Sequence, residues 1–109
     1  MTAAFESSTN RRTYIRLAYG PGRRPALLTA DARFEIIDIS ESGIRFHNPS
    51  RLPLAQSFQA RISLLGGGAI DIDADVQWQQ NGEVGISLAE PLPAALIKEE
   101  QRRAILQDT

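Results

Sequence analysis

From Phe34 onward, apolar and polar residues alternate with period two, the spacing at which an extended strand turns successive side chains to opposite faces. SFQARISL puts Phe58, Ala60, Ile62 and Leu64 on one face, and AIDIDADVQW does the same for Ile70, Ile72, Ala74, Val76 and Trp78. EVGISL repeats the pattern with Val84, Ile86 and Leu88. LGGGA separates the first two runs and QQNG the last two, and Asn81-Gly82 favours a tight hairpin turn with positive φ. The three runs predict an antiparallel meander. Because Ile62 and Ile72 must face the same side, paired residue numbers in the first hairpin sum to an even value, and Arg61 lies opposite Asp71 or Asp73 on the solvent face.

Upstream the phase changes. In ARFEIIDIS, Phe34 and Ile36 share one face while Ile37 and Ile39 fall on the other, which implies a β-bulge or a strand apolar on both sides. GIRFHN resumes the alternation with Ile44 and Phe46 together, so Arg45 points outward, either as a supporting phosphate contact or as a solvated charge. LAYGPGRRPALLTA reads as an extended segment broken at Gly20-Pro21-Gly22 and resumed around Ala26 to Leu28. About six short strands with regular turns favour an all-β fold, a small six-stranded antiparallel β-barrel, over a sandwich. Past Pro91 and Pro93, AALIKEEQRRAILQ consists largely of good helix formers, with Glu99 one turn before Arg103. Its apolar residues gather at the two ends, which predicts one face packed across a barrel end and an exposed middle. The chain therefore divides into a flexible tail over residues 1-10, a barrel with an arginine-rich arm over 11-90, and a C-terminal helix and tail over 91-109.

Composition narrows the chemistry. With no Cys and the single His47, the 109-residue chain offers no thiolate, no disulfide and no histidine cluster for a metal. No nucleophile, base and orienting group can be assembled from these residues, so no enzyme is expected. Asp71, Asp73 and Asp75 resemble the start of a calcium loop, but the Gly and the distant bidentate Glu are missing, and a strand spaces its carboxylates by roughly 7 Å. They read as a solvated stripe partly offset by Arg61. Apolar runs are short and residues 1-10 lack a signal core, so a cytoplasmic location without membrane contact is expected.

Charge is unevenly spread. The formal net charge is -1, yet five arginines against Glu6 give residues 1-24 a charge of +4, leaving -5 for the remainder. A basic arm on an acidic body suits a small, local anion better than DNA or RNA, whose binding domains are more often basic throughout. Of the 12 basic residues 11 are Arg, whose planar fork grips a phosphate or a guanine edge bidentately.

Two stretches concentrate that chemistry. RRTYIR carries Arg11, Arg12 and Arg16, and DISESG carries Asp38, Ser40 and Gly43 in a loop between two strands. Taken alone, the first is solvated charge and the second is ordinary turn chemistry, in which Asp and Ser bond neighbouring amides. The functional alternative has Asp38 accepting from a base edge, Ser40 bonding a base or phosphate, and Gly43 admitting a planar ring against the backbone. Trp78 is open in the same way: its phase makes it a core residue, and its place at the end of the run makes it a contact for a base at the rim.

In conjunction, the stretches resemble the PilZ domain family. Its signature is RxxxR followed by (D/N)xSxxG, here Arg12 to Arg16 and Asp38 to Gly43, and VQWQQNGEVGISL resembles its closing hairpin. The resemblance covers about residues 10-90 and implies a six-stranded barrel that binds cyclic di-GMP. It further implies that Arg12 and Arg16 clamp guanine edges and phosphates over a floor of Asp38, Ser40 and Gly43. Arg11 stands directly before RxxxR, the place where an arginine goes in some relatives with an intercalated pair of ligand molecules. The function implied is a receptor that binds the dinucleotide and relays the signal to a protein effector by ordering its arm, with no metal and no cofactor. The alternative is an adaptor of the same fold that binds protein but no nucleotide.

Overall fold

Each alternating strand has one apolar face to bury, and closing the sheet on itself buries all of them at once. The computed structural model describes residues 16–107; Arg11, Arg12 and the tail of residues 1-10 lie outside the described residues. The strands are β1 (Leu17–Ala18), β2 (Ala26–Leu28), β3 (Arg33–Ile39), β4 (Gly43–His47), β5 (Ser57–Ser63), β6 (Ala69–Gln80) and β7 (Glu83–Leu88), followed by helix α1 (Ala94–Gln107). β2 to β7 form a closed six-stranded antiparallel barrel in the order β3-β2-β5-β6-β7-β4, with β4 pairing back onto β3. β1 is an extra strand on β3, pairing Leu17 with Ile39 and Ala18 with Asp38.

The interior is the sum of the alternating faces. Leu27, Ile36, Ile39, Phe46 and Ile62 are fully buried, and the Phe34 and Phe46 rings meet with centroids 4.9 Å apart. Removing each such side chain from water contributes roughly 1.5–3 kcal/mol. In the β5–β6 hairpin Ile62 faces Ile70 and Arg61 faces Asp71, one of the even-sum registers the alternation allows, and the pairing chooses Asp71 over Asp73. Arg61 Nε donates to Asp71 Oδ1 at 2.8 Å, and this bond, aided by the guanidinium charge, holds the Asp71 carboxyl below its ordinary range. At the next turn Asn81 and Gly82 take φ of 55° and 76°, the double positive-φ geometry expected of the Asn-Gly pair.

Two β-bulges break the alternation. On β3, Ile36 pairs with Phe46 and Asp38 with Arg45, leaving Ile37 as the extra residue, so both apolar phases of the sequence are used. On β6, Val76 pairs with Ile86 and Trp78 with Gly85, leaving Gln77 extra. This second bulge carries no apolar doublet to announce it.

Helix α1 starts where Pro93 leaves its carbonyl to accept from Leu96 and Ile97 N–H. Leu92 and Ile97 join the barrel core, as one packed face predicts. The middle of the helix departs from expectation, because Glu100 is buried: the Tyr19 hydroxyl donates to its Oε1 at 2.8 Å, and Leu65 N–H donates at 3.3 Å. The apolar residue near the far end, Ile105, is exposed instead. Glu99 holds Arg103 at 2.9 Å as its spacing suggests, and Arg102 as well.

Burial, and then the bond and charge of Glu100, push the Tyr19 phenol well above its ordinary value of 10.0. A phenol whose folded value is raised stabilises the fold fully below the unfolded value and loses that contribution as pH rises past it. Tyr19→Phe should therefore cost about 1–3 kcal/mol at neutral pH by removing the shorter of the two donors to the buried Glu100. In thermal melts taken above pH ~10, the wild type should lose stability more steeply than the variant, narrowing the gap.

Candidate ligand-binding site

Cross-strand registry lines up one row of residues across the outer wall of the barrel. Ala18 on β1 pairs with Asp38 on β3, Asp38 with Arg45 on β4, Arg45 with Gly85 on β7, and Gly85 with Trp78 on β6. Above the row lies a cavity of about 410 Å³ lined by Arg16, Asp38, Gly43, Arg45, Trp78 and Gly85, among others.

Asp38 is the centre of its charge. Its side chain is only 4% exposed, although it points out of the barrel, because two guanidiniums cover it. Arg16 reaches Oδ1 at 2.6 Å, while on Oδ2 Arg45 places Nε at 2.9 Å and a terminal nitrogen at 2.8 Å. A carboxylate withdrawn from water this far needs a cation, since without one it would be an uncompensated buried charge. Arg45 also reaches Glu83 at 3.4 Å. Both arginines remain 41% exposed or more, so their cationic faces stay open to a ligand.

The loop after Asp38 is built for turning. Ser40 Oγ accepts from Gly43 N–H at 3.2 Å and also donates to the Gly43 carbonyl, so Ser40 is committed to its own turn and lies buried. Gly43 lines the cavity for a different reason: a Cβ there would stand 2.8 Å from the Ile86 carbonyl oxygen. Its missing side chain lets β4 and β7 approach. The same loop ties down the segment before the helix, because the Glu41 carbonyl accepts from Leu92 N–H at 2.8 Å.

Trp78 corrects the phase reading. The alternation from Ile70 to Val76 assigns it to the core, but the bulge at Gln77 turns it outward, where it is 42% exposed and lines the cavity. The ring folds over Gly85, whose absent side chain is what makes room: a Cβ there would come within 2.2 Å of Nε1. Arg45, left open between solvent and phosphate, sits at the middle of the cavity. The signal that finds it is the tight loop itself, which folds the strand carrying Arg45 back beside Asp38. Arg16, Asp38, Gly43 and Trp78 are thus brought together with Arg45 and Gly85; Ser40 does not line the cavity but holds the turn that ends at Gly43, and Arg11 and Arg12 lie outside the described residues.

Fold and row together define a small β-barrel binding domain with an arginine-covered carboxylate on its outer wall. The chain belongs to the PilZ domain family, whose model matches residues 10–107. Domains of this family are binding and adaptor modules, not enzymes, and are usually receptors for cyclic di-GMP. The fold is also similar to the crystal structure of an uncharacterized protein from Legionella, with a TM-score of 0.59 and 12% identity over 84% of this chain and 87% of that one. Among curated proteins none matches the sequence. No helix among the described residues is long and apolar enough to cross a membrane.

The fit of Trp78 over Gly85 yields a direct test, since Trp78 is the only Trp of the chain. Gly85→Ala should leave the barrel folded by circular dichroism but drive the indole off its seat, changing its emission maximum and its quenching by acrylamide. Unchanged fluorescence would contradict the close approach.

Proposed function

We propose that the protein is a receptor for cyclic di-GMP that relays the dinucleotide's presence to a protein partner. The observation that carries this is the conjunction at Asp38: one buried carboxylate held by Arg16 from the arm and Arg45 from the wall, in a cavity bordered by the exposed Trp78 ring. Guanine suits each group. Its O6 and N7 acceptors match an arginine fork, and its N1–H and N2–H2 edge donates to a carboxylate such as Asp38. The indole supplies a plane for stacking, worth about 1–3 kcal/mol per base.

Binding on this reading is an exchange, because Asp38 is already engaged on both oxygens. Guanine and phosphate take over guanidiniums that the carboxylate now holds. Arg16 adjoins β1, so its transfer to the ligand acts on the root of the arm, and an ordered arm changes the surface shown to a partner. Arg11 and Arg12 complete the clamp, and Arg11 favours two stacked ligands per chain.

Calorimetry with cyclic di-GMP, using GTP and cyclic di-AMP as controls, tests the receptor. Saturable, selective binding with about two ligands per chain is expected. Arg16→Ala should weaken binding by about tenfold or more, the worth of a charge-assisted hydrogen bond, while the barrel stays folded because Arg45 still covers Asp38. No saturable binding by the wild type would overturn the receptor and favour the nucleotide-free adaptor.

A further inference from the structure

Arg45 belongs to neither short motif, yet it occupies the centre of the row, between the Asp38 carboxylate and the notch at Gly85 over which Trp78 lies. Its guanidinium is shared between two carboxylates, Asp38 at 2.8 Å and Glu83 at 3.4 Å. Glu83 reaches it diagonally: Arg45 pairs with Gly85, and Glu83 stands two residues before Gly85 on the same strand face. Arg16, Arg45, Asp38 and Glu83 thus carry two positive and two negative charges, so the described cluster is neutral.

A neutral cluster is a poor host for a ligand with two phosphates, unless one of its anions can be relieved of its cation. Asp38 is 4% exposed and leans on both arginines, whereas Glu83 is 32% exposed and makes the longest contact of the set. Of the two, Glu83 is the anion that water can stabilise when Arg45 turns away.

The geometry points to Arg45 as a further ligand-binding cation of the site, beside the arginines of the arm, and to Glu83 as the residue that attenuates it. This rests on the proposed cyclic di-GMP site. With the site empty, Arg45 is parked between Asp38 and Glu83; with the dinucleotide bound, it turns to a phosphate or to the Hoogsteen edge of the base stacked on Trp78. Glu83 competes with the ligand for the same guanidinium and so sets the affinity below what the arginines alone would give.

The test is a double-mutant cycle read by calorimetric titration with cyclic di-GMP. Glu83→Gln keeps the shape and removes the charge, and should tighten binding by about threefold, the scale of a partly exposed ion pair. Arg45→Met should weaken binding by about tenfold or more and flatten the dependence of affinity on salt. In the double variant the gain from Glu83→Gln should vanish, because there is no Arg45 to release. Arg45→Lys keeps a cation beside Asp38 should the Met variant fail to fold; losing the fork, it should weaken binding by about threefold. Three results overturn the inference while the receptor stands: binding by Arg45→Met within about twofold of the wild type, weaker binding by Glu83→Gln, or a gain that persists in the double variant. Absence of binding by the wild type itself would instead remove the receptor and this inference with it.

Discussion

A carboxylate taken out of water must be met by cations, and at Asp38 that requirement joins three parts of the chain. Arg16 comes from the arm, Arg45 from β4, and Asp38 itself from β3, which β1 and β4 flank. Isolated ion pairs of this kind add little to stability, since desolvation offsets the Coulomb gain. Their effect is on arrangement. Only when β1 lies on β3 and β4 on its other side do both guanidiniums reach the buried oxygens, so the pairings that complete the barrel wall also assemble the site.

The two bulges explain why that wall can carry a site at all. A regular strand alternates inward and outward without exception, and a functional row needs residues whose aim departs from the pattern. At Ile37 the extra residue returns Ile39 to the core beside Ile44 and leaves Asp38 facing out beside Arg45. At Gln77 it turns Trp78 from the core side to the surface, where Gly85 across the strand leaves a seat for its ring. Displaced by one residue, either strand would send its chemistry into the barrel interior.

The helix extends the same logic to the end of the barrel. Leu92 and Ile97 bury apolar surface, but the specific contact is polar: Glu100 receives the Tyr19 hydroxyl. Tyr19 follows Arg16 by three residues, and the Leu92 amide is held by the Glu41 carbonyl of the loop after Asp38. Helix and cavity therefore hang on the same two chain segments.

Much of this was legible in the sequence, because its signals are local. Period-two alternation specified β5, β6 and β7 and limited Arg61 to Asp71 or Asp73; the Asn81-Gly82 pair specified its turn; the doublet Ile36-Ile37 marked a bulge or a strand apolar on both sides; Glu99 and Arg103 announced an exposed helical pair. The motifs from Arg12 to Arg16 and from Asp38 to Gly43 together carried the resemblance to the PilZ family, to which the chain belongs. What the tertiary structure alone decided has a common physical cause, which is that it depends on residues far apart in the chain. Trp78 leaves the core because of how β6 pairs with a glycine on β7, Glu100 is buried because Tyr19, eighty-one residues earlier, brings it a donor, and Arg45 becomes a site residue because Asp38 and Glu83 meet it from two different strands. Alternation states which face a residue takes within its own strand; only closure of the barrel determines what stands beside it.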